Sequence, residues 1–353
     1  MGEMSFKVRD PMNSPLLPDR HPQRDFFVCD IINAAPKADV GSMEHPIFSL
    51  STKPDLRPRR DEHNGLSIDI KPSSDGIATV HDRDILIFCI SQLIRAMNEG
   101  RDVSQMVRFQ ASDLLRATNR MTTGRGYDLL KAAMERLAGT RISTNITTGG
   151  KEVFETFGLI ESARIVRQTR EGRMQEIEVK LSDWVFNAIR AHEVLTISRD
   201  YFRLRRPLER RLYELARKHC GNQREWSIGL DLLQKKCGSS STTFEFRRLV
   251  GNVIRQDIAH SHMPDYSLRF SADESKVVFR NRGTAPAPMA EIFEAFLDAE
   301  AHEEARAAAP GWDVRNLETE WRRWCAAEEI EPKHPSRHFV RFCRTWYEKR
   351  GRP

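Results

Sequence analysis

Apolar and polar positions follow two different periods between residues 66 and 181. Alternation over residues 66–80, interrupted by a polar turn at 73–76, predicts a β-hairpin, and a helical apolar period over residues 82–98 predicts a helix. The pattern then predicts, in order, a strand at 107–109, a helix from 112, a polar turn at 119–126, a helix ending at 137, and strands at 142–147, up to 166 and at 175–181. This is the order of a winged helix, a helix-turn-helix followed by a β-ribbon called the wing.

The same order is predicted a second time over residues 206–280. A helix at 206–219, with Pro207 at its favoured first position, precedes a strand at 226–228, helices at 230–236 and 242–258, and a hairpin of strands 266–270 and 276–280. The predicted fold class is therefore α+β, with two tandem winged-helix domains and a small C-terminal helical appendage. The predicted segments are an irregular N-terminal arm (1–60), a first winged-helix domain (61–195), a second (196–283), a linker with an acidic helix (284–310) and a C-terminal helical segment (311–353).

The composition shows an excess of basic residues, which is concentrated in residues 199–224. The 353-residue chain has a net charge of +6 and an isoelectric point near 9.0, which permits a nucleic acid or an acidic membrane as partner. Residues 199–224 hold nine basic and three acidic residues, a surplus of six that equals the whole excess. We expect this stretch to contact phosphate groups.

Other classes of protein are disfavoured by the same composition. The six cysteines are scattered without a CxxC pair, so we expect neither disulfides nor a zinc site. No apolar run is long enough to cross a bilayer, and the N-terminus has no signal-peptide core. We therefore expect a cytoplasmic protein without a membrane partner.

The stretch SSSTTFEFRRLVGNVIRQ, residues 239–256, is the leading candidate for reading DNA. In a helix over 242–258, Phe246, Leu249, Val250 and Val253 share the core face. The opposite side carries the base-reading candidates Arg247, Arg248, Asn252 and Arg255. Arginine can bridge guanine and asparagine can bridge adenine in the major groove. An ordinary solvated helix face behind a serine-rich loop is the alternative.

Three features around this helix extend the predicted interface. Gly251 costs about 1 kcal/mol in an exposed helix, and we interpret it as room for close approach to DNA. Hydroxyl groups before the helix would cap it and hold phosphate. The predicted phosphate contacts are Ser240, Thr242 and Thr243 in the loop, Arg205, Arg206 and Arg210 at the preceding basic helix, and Arg269 and Arg280 on the wing.

The first domain has a weaker case for DNA contact. Its last helix would expose Arg125, Asp128, Ala132, Glu135 and Arg136, and two acids on that face oppose a phosphate backbone. DNA contacts are therefore expected at the edges, from Arg125, Lys131, Arg141 and, on the wing, Lys151. The alternative is that this domain mainly contacts protein, either a second copy of the chain or a host factor.

Signatures of catalysis, metal binding and cofactor binding are not found. Gly149-Gly150-Lys151 lacks the upstream glycine of a phosphate-binding loop, because Asn145 stands there. His260-Ser261-His262 precedes a turn at Pro264, which does not suit a metal site, and the carboxylates form no acid and base pair. We therefore expect a protein that is not an enzyme and needs neither metal nor cofactor.

Recognisable sequence between about His21 and Arg282 consists of HPQRDFFVCDI, MEHPIFSLSTKPD, GIATVHDRDILIFCISQLIRAMNEG, DLLRATNRMTTGRGYDLLKAAMERLAGTRISTNITTGG, VKLSDWVFNAI and VLTISRDYFRLRRPLERRLYELARKHCGNQREWSIGL. These stretches resemble the RepA-type plasmid replication initiators of Gram-negative bacteria, which are related to iteron-binding initiators with two winged-helix domains. Two positions depart from the resemblance. Arg60-Asp61-Glu62-His63 has an acid where an aromatic residue is expected, and Met263 stands where leucine is usual.

The resemblance implies a protein that binds direct repeats in double-stranded plasmid origin DNA, helps to open adjacent DNA, and recruits the host replication initiator and the replicative helicase. It also implies a homodimer in equilibrium with the monomer, in which the first winged helix serves dimerisation and the second reads the repeat. Two alternatives stay open: a sequence-specific transcriptional repressor without a replication role, and an origin-nicking enzyme. The C-terminal helices would contact a host replication protein or cap the second domain.

Overall fold

A computed structural model divides the chain into two compact units, Met1–Pro286 and Ala287–Pro353. The residues it describes are 15–22, 29–31, 46–63, 66–98, 101–144, 147–148, 151–152, 155–167, 174–190, 194–221, 223–283, 297, 299–310, 312, 314–327, 330 and 332–350. Residues 284–296 of the predicted linker and acidic helix (284–310) and much of the predicted N-terminal arm lie outside these residues. The strand Arg59–His63 crosses the boundary predicted between the arm and the first domain.

The first unit begins with a mixed arrangement of helices and small sheets. Its elements up to residue 196 are β1 (Cys29–Ile31), β2 (Arg59–His63), β3 (Leu66–Lys71), α1 (Arg83–Asn98), β4 (Met106–Gln110), α2 (Ala111–Ala117), α3 (Gly124–Gly139), β5 (Arg141–Thr144), β6 (Thr147–Thr148), β7 (Lys151–Glu152), β8 (Glu155–Gly158), β9 (Ile160–Arg167), β10 (Met174–Leu181), α4 (Asp183–Arg190) and β11 (Val194–Thr196). Strands β4, β10 and β9 form an antiparallel sheet in that order, in which Phe109, Ile177 and Ile165 lie side by side.

The remainder of the first unit follows a short 3-10 turn at Arg199–Arg203. Its elements are α5 (Pro207–His219), β12 (Glu225–Gly229), α6 (Leu230–Cys237), α7 (Thr243–His260), β13 (Tyr266–Phe270) and β14 (Lys276–Asn281). The three strands form an antiparallel sheet in the order β12–β14–β13. Trp226, Phe279 and Leu268 lie side by side across it, and this apolar face packs on the helices.

The first unit has two halves, residues up to 196 and residues from 199, and both contain the same order of elements. A helix (α1 or α5) is followed by a strand (β4 or β12), two helices and two strands, and the last strand occupies the middle of the three-stranded sheet. The first half differs by an insertion of β5 to β8 between α3 and β9. The fold is therefore mixed α and β, as the apolar periods predict.

The inserted strands build a separate sheet. Residues 142–144 of the strand predicted at 142–147 belong to β5, which pairs with β3 and β8 in the antiparallel order β2–β3–β5–β8, whereas Thr147 belongs to β6. Ile70, Ile142 and Phe157 lie side by side there and are all buried, so this apolar row selects the pairing. The hairpin predicted over 66–80 is therefore wrong, because β3 pairs with β2 and β5 rather than with residues 77–80.

A continuous core joins the two halves of the first unit. Ile87 of α1 belongs to the same buried cluster as Tyr201, Leu212 and Phe246 from the second half. Next to this cluster, α1 and α5 are bridged by buried ion pairs. The arrangement holds the surface of α7 in one position relative to the first half.

The second unit consists of α8 (Ala299–Ala308), α9 (Val314–Ala327) and α10 (Pro335–Arg350). The predicted acidic helix corresponds to α8, and its Ala305 packs in one core with Trp321, Phe339 and Cys343. Within the described part of the chain, no helix combines the length and the apolar character needed to cross a bilayer.

Candidate nucleic-acid interface

The helix α7 presents one apolar side to the core and one polar side to solvent. Its N-terminus is capped by Thr242, whose Oγ1 accepts a hydrogen bond from the backbone N–H of Glu245 at 3.2 Å. Phe246, Val250 and Val253 recur at helical spacing and are buried. This spacing decides which side chains of α7 remain available for a partner.

Arg248, Asn252 and Arg255 lie on the solvent side of α7, where the helical period places them, with Arg248 and Arg255 exposed and Asn252 half-buried. Arg248 donates two hydrogen bonds to the carboxylate of Glu245, at 2.8 and 2.6 Å. Arg255 donates to Oδ1 of Asn252. Base-edge contacts would therefore replace bonds within the protein, and water already competes for such exposed pairs.

Arg247 and Glu245 lie at the edges of this surface, and each is held by an oppositely charged side chain. The Nη1 of Arg247 lies 3.3 Å from Oε2 of Glu274, which stands in the turn between β13 and β14. The hydrogen bond from Arg248 lowers the pKa of Glu245, so this carboxylate stays charged at the N-terminal end of α7. The carboxylate of Glu245 accepts hydrogen bonds and the guanidinium of Arg248 donates them. A partner that offers a donor beside an acceptor therefore fits this pair.

The hydroxyl-rich loop before α7 is tied to α6. Gly238 ends α6 in the left-handed conformation with φ of 67°, and Nε2 of Gln234 donates to the carbonyl of Ser241 at 2.6 Å. Ser240 and Thr243 are exposed, as is Thr242, whose oxygen serves the helix cap. The three predicted hydroxyl residues thus lie together at the positive end of the α7 dipole.

The basic helix α5 does not provide the predicted row of phosphate contacts. Arg205 is exposed, and Nη1 of Arg206 donates to Oε1 of Gln256 at 3.1 Å, which links the start of α5 to α7. The prediction for Arg210 is wrong, because its side chain is only 4% exposed and its Nη1 lies 2.6 Å from Oδ1 of Asp84. Two backbone carbonyls accept its other donors.

Other arginines of α5 also form hydrogen bonds inside the fold. Arg211 donates twice to the carbonyl of Lys236, at 3.0 and 2.7 Å, and Nε of Arg217 donates to the carbonyl of Thr196 at 2.8 Å. Much of the charge in residues 199–224 therefore satisfies buried carbonyl and carboxylate oxygens. The charge excess of this stretch does not measure the charge it offers to a partner.

The hairpin contributes a basic outer face. Arg269 and Arg280 are exposed on the side of the sheet away from the core. An oxygen of Glu225 lies 3.5 Å from Nη2 of Arg269. Both arginines remain available as wing contacts beside α7.

Gly251 does not face solvent. It is buried, and an added Cβ would lie 3.5 Å from Arg255 Nη1 and 3.6 Å from Phe270 Cε2. The interpretation of Gly251 as room for DNA is therefore wrong, because β13 of the hairpin covers this part of α7.

In the first half, α3 carries a mixed surface. Arg125 and Lys131 are exposed, as are Asp128 and Glu135, and Nζ of Lys131 lies 3.7 Å from Glu135. Arg136 departs from the predicted exposed face, because Asp82 accepts two hydrogen bonds from it, each at 2.7 Å.

The other two predicted contacts of the first half lie outside its three-stranded sheet. Arg141 begins β5 and is exposed. Lys151 begins β7, which pairs with β6 rather than with the sheet of β4, β10 and β9; its side chain is not among those described. These two positions are therefore not on a wing that corresponds to the β13–β14 hairpin.

Phe244 is part of this surface and is not assigned by the sequence analysis. It is 79% exposed at the start of α7, one helical turn before Arg248, on the same side of the helix. The signal was present in the sequence, because Phe244 falls out of register with the core positions Phe246, Val250 and Val253. An exposed phenylalanine beside arginines suits the methyl group of thymine.

His262 of the pair considered for metal binding lies in the core, as do the phenol groups of Tyr201 and Tyr213. His262 is fully buried, with Nε2 at 3.4 Å from Glu209 and Nδ1 at 3.8 Å from Asp257. Burial raises the pKa of both Tyr201 and Tyr213 well above the ordinary value. Among the described residues, no group of three or more His, Cys, Asp or Glu side chains could hold a metal ion.

Comparison with known proteins gives a consistent family. Residues 37–268 match the family model of replication initiator protein A. A "Putative replication protein" of Wigglesworthia glossinidia brevipalpis is 36% identical over 264 residues, which cover 73% of this chain and 94% of that protein. Two solved structures of domains 2 and 3 of RctB cover 68% of this chain and 95% and 96% of theirs, with TM-scores of 0.48 and 0.46 at 11% and 13% identity. Those scores are too low to carry a fold assignment.

Proposed function

This chain belongs to the replication initiator protein A family and is a plasmid replication initiator, and from that premise we propose that α7 reads repeated sites in duplex origin DNA. The observation that carries the proposal is the solvent side of α7, which presents Arg248, Asn252 and Arg255 behind a capped N-terminus. Guanidinium and amide groups in this spacing match the donor and acceptor pattern of the major groove.

We propose that each half of the first unit is a winged helix. The support is the repeated order of helix, strand, two helices and two strands, together with the shared sheet order in which the last strand is central. In such a domain the helix equivalent to α7 enters the major groove, and the hairpin follows the adjacent backbone.

Phosphate contacts would surround the base-reading side of α7. Ser240, Thr242 and Thr243 supply hydroxyls at its N-terminus, Arg205 and Arg206 supply charge at the start of α5, and Arg269 and Arg280 supply charge on the hairpin. Arg125, Lys131, Arg141 and Lys151 are weaker candidates in the first half. These contacts would set the position of the protein on DNA without reading sequence.

For the first half we propose a role in self-association, in a homodimer that is in equilibrium with the monomer. The mixed charge of α3, where Asp128 and Glu135 stand beside Lys131, suits a protein partner better than a phosphate backbone. The host partners would be the replication initiator and the replicative helicase. We also propose that the protein acts without enzymatic activity in the cytoplasm.

The test is footprinting of the protein on DNA around its own gene at two salt concentrations. Protection of regularly spaced direct repeats is expected, and an Arg248→Ala, Arg255→Ala double variant should lose these boundaries. Protection of a single inverted repeat over a promoter would favour a repressor instead. Coverage without boundaries that disappears with salt would contradict base reading by α7.

Two further assays separate initiation from the alternatives. A plasmid that carries the origin but lacks the gene should replicate again when the protein is supplied, which a pure repressor would not achieve. Supercoiled origin DNA incubated with protein and magnesium should remain intact, whereas a nicking enzyme would relax it.

A further inference from the structure

The second unit carries a basic surface that lies outside the residues of the family match. Arg337, Arg341 and Arg344 of α10 are all exposed. At about 100° per residue these positions fall within about 60° of one another around the helix axis. They form a stripe along the side of α10 that faces away from Phe339 and Cys343, which are fully buried.

The arginines of this stripe are not paired with carboxylates in the described part of the chain, although Glu348 lies one turn beyond Arg344 on the same side of α10. By contrast, Arg306 of α8 is paired with Glu303. From Lys333 to Arg350 the sequence has six basic residues and one acidic residue, Glu348. A partner with a row of negative charges would therefore be attracted to this surface.

An aromatic platform borders the arginine stripe. Trp324 of α9 is 39% exposed and stacks on His338, with the rings 5.7 Å apart and inclined by 5°. Phe342, one turn after His338 on α10, also stacks with Trp324, with the ring centroids 5.7 Å apart. Nδ1 of His338 accepts a hydrogen bond from Trp321 at 2.9 Å, which fixes the imidazole below Trp324.

The arginine stripe and the platform are close enough to act together. Arg341 follows His338 by three positions in α10, and side chains at this spacing are neighbours on a helix surface. Burial lowers the pKa of His338, and the positive charge of Arg341 lowers it further. Around the axis of α10, His338 and Phe342 lie roughly 60° and 100° from Arg341, which forms the nearest edge of the stripe. One extended ligand can therefore place charge on the arginines and a flat ring on Trp324.

We propose that the second unit binds single-stranded DNA, with phosphates on Arg337, Arg341 and Arg344 and an unpaired base stacked on Trp324. Grooves that combine basic side chains with exposed aromatic rings are typical of single-strand binding without sequence preference. Duplex DNA fits less well, because its bases are already stacked. The proposed function supplies the ligand, since opening an origin exposes single strands.

The test uses the full-length protein and a fluorescently labelled oligothymidine of about 15 nucleotides. Anisotropy titrations at several salt concentrations should show binding by the wild type. The triple variant Arg337→Gln, Arg341→Gln, Arg344→Gln should bind at least about tenfold more weakly. Its log–log salt slope should be smaller by about two, as expected from the loss of three phosphate contacts.

Matched variants separate the site from general charge. Arg306→Gln on α8 removes an exposed arginine of the same unit and should leave oligothymidine binding unchanged. Trp324→Leu should weaken binding at least about fivefold, and Trp324→Phe should retain most of it, because phenylalanine still stacks. Equal losses in Arg306→Gln and the triple variant would overturn the proposal.

Failure of this proposal is distinguishable from failure of the proposed function. The triple variant should still protect duplex origin repeats, and the α7 variant Arg248→Ala, Arg255→Ala should still bind oligothymidine. Wild-type protein that binds the duplex but not oligothymidine would overturn the single-strand site alone and favour an acidic protein as partner. Wild-type protein that binds oligothymidine but does not recognise duplex origin repeats would instead contradict the role of α7.

Discussion

Asp84 of α1 and Arg210 of α5 form an ion pair with 2.6 Å between Oδ1 and Nη1, although their side chains are only 1% and 4% exposed. Arg120 adds a second cation at 3.0 Å from the same carboxylate. The two residues stand 126 positions apart in the chain, so the pair joins the two halves of the first unit. Burial removes the water around both charges, so removal of either partner leaves the other buried without compensation.

Replacement of Asp84 by Asn should destabilise the first unit by about 3–5 kcal/mol, because the guanidinium of Arg210 would remain buried without a counter-charge. Urea denaturation measures the change. The control is Arg108→Gln, since Arg108 is 65% exposed in its pair with Glu178 and should matter by less than about 1 kcal/mol. A loss as small as that of the control would show that carbonyl groups alone stabilise Arg210.

Replacement of Arg248 or Arg255 by Ala should weaken binding to the specific site by roughly 10- to 100-fold and leave binding to unrelated duplex almost unchanged. The physical reason is that each guanidinium reads base edges that only the specific site presents. Competition gel-shift assays with both DNAs measure the ratio. Lys131→Ala is the matched comparison, because a phosphate contact should lower both affinities together. Unchanged specificity in both arginine variants would mean that another element reads the DNA.

Phe244→Ala should reduce the preference for thymine at one position of the site. The side chain is 79% exposed, so its removal changes stability little, whereas contact with a thymine methyl group would be lost. The measurement compares site DNA with versions in which single thymines are replaced by deoxyuridine. Wild-type protein should bind one deoxyuridine version more weakly, and the variant should not distinguish it. Equal discrimination by both proteins would exclude Phe244 as the reader.

Gly251→Ala should stabilise α7 by up to about 1 kcal/mol, because an added Cβ would meet Arg255 and Phe270 only at ordinary contact distances of 3.5 and 3.6 Å. Site binding should be unaffected, since β13 rather than DNA covers this position. Thermal unfolding and a binding titration test both parts. A variant that is stable but binds poorly would restore the idea that the helix backbone approaches DNA here.

Asp55 should produce a stability change in acid. Burial acts to raise the pKa of Asp55, but hydrogen bonds from Arg57 and Arg59 outweigh it and lower the pKa from 3.8 to about 2. As the pH falls, the unfolded chain binds this proton first. The stabilisation is therefore complete above about pH 4 and is lost as the pH approaches 2.

Unfolding by urea between about pH 2 and 6 should show a wild-type advantage over Asp55→Asn of about 1–2 kcal/mol at the upper end, which vanishes at the lower end. Glu62→Gln, at an exposed pair with Arg60, provides the comparison and should show little change. An advantage that persists to the lowest pH would assign the effect to packing rather than to charge.

The sequence by itself determined the elements whose apolar period is complete. Helix α7 begins at Thr243 and its core side is Phe246, Val250 and Val253, because a 3.6-residue period leaves no other way to bury these side chains. The repeated order of elements follows from the same local signals. The strand at 142–147 was visible in this way, but its partner was not, since pairing depends on residues far away in the chain.

Only the tertiary structure decided which basic residues face solvent. Arg205 and Arg210 are five positions apart in one basic run, yet the first is exposed and the second is bonded to Asp84. A count of charges cannot separate them, because the difference arises where α5 packs against α1 and buried oxygens require donors. Gly251 shows the same limit, since the hairpin that covers it is formed by residues beyond the helix. Local periodicity shows which side of a helix is apolar, but it does not show which distant segment will cover the other positions, because that depends on tertiary contacts.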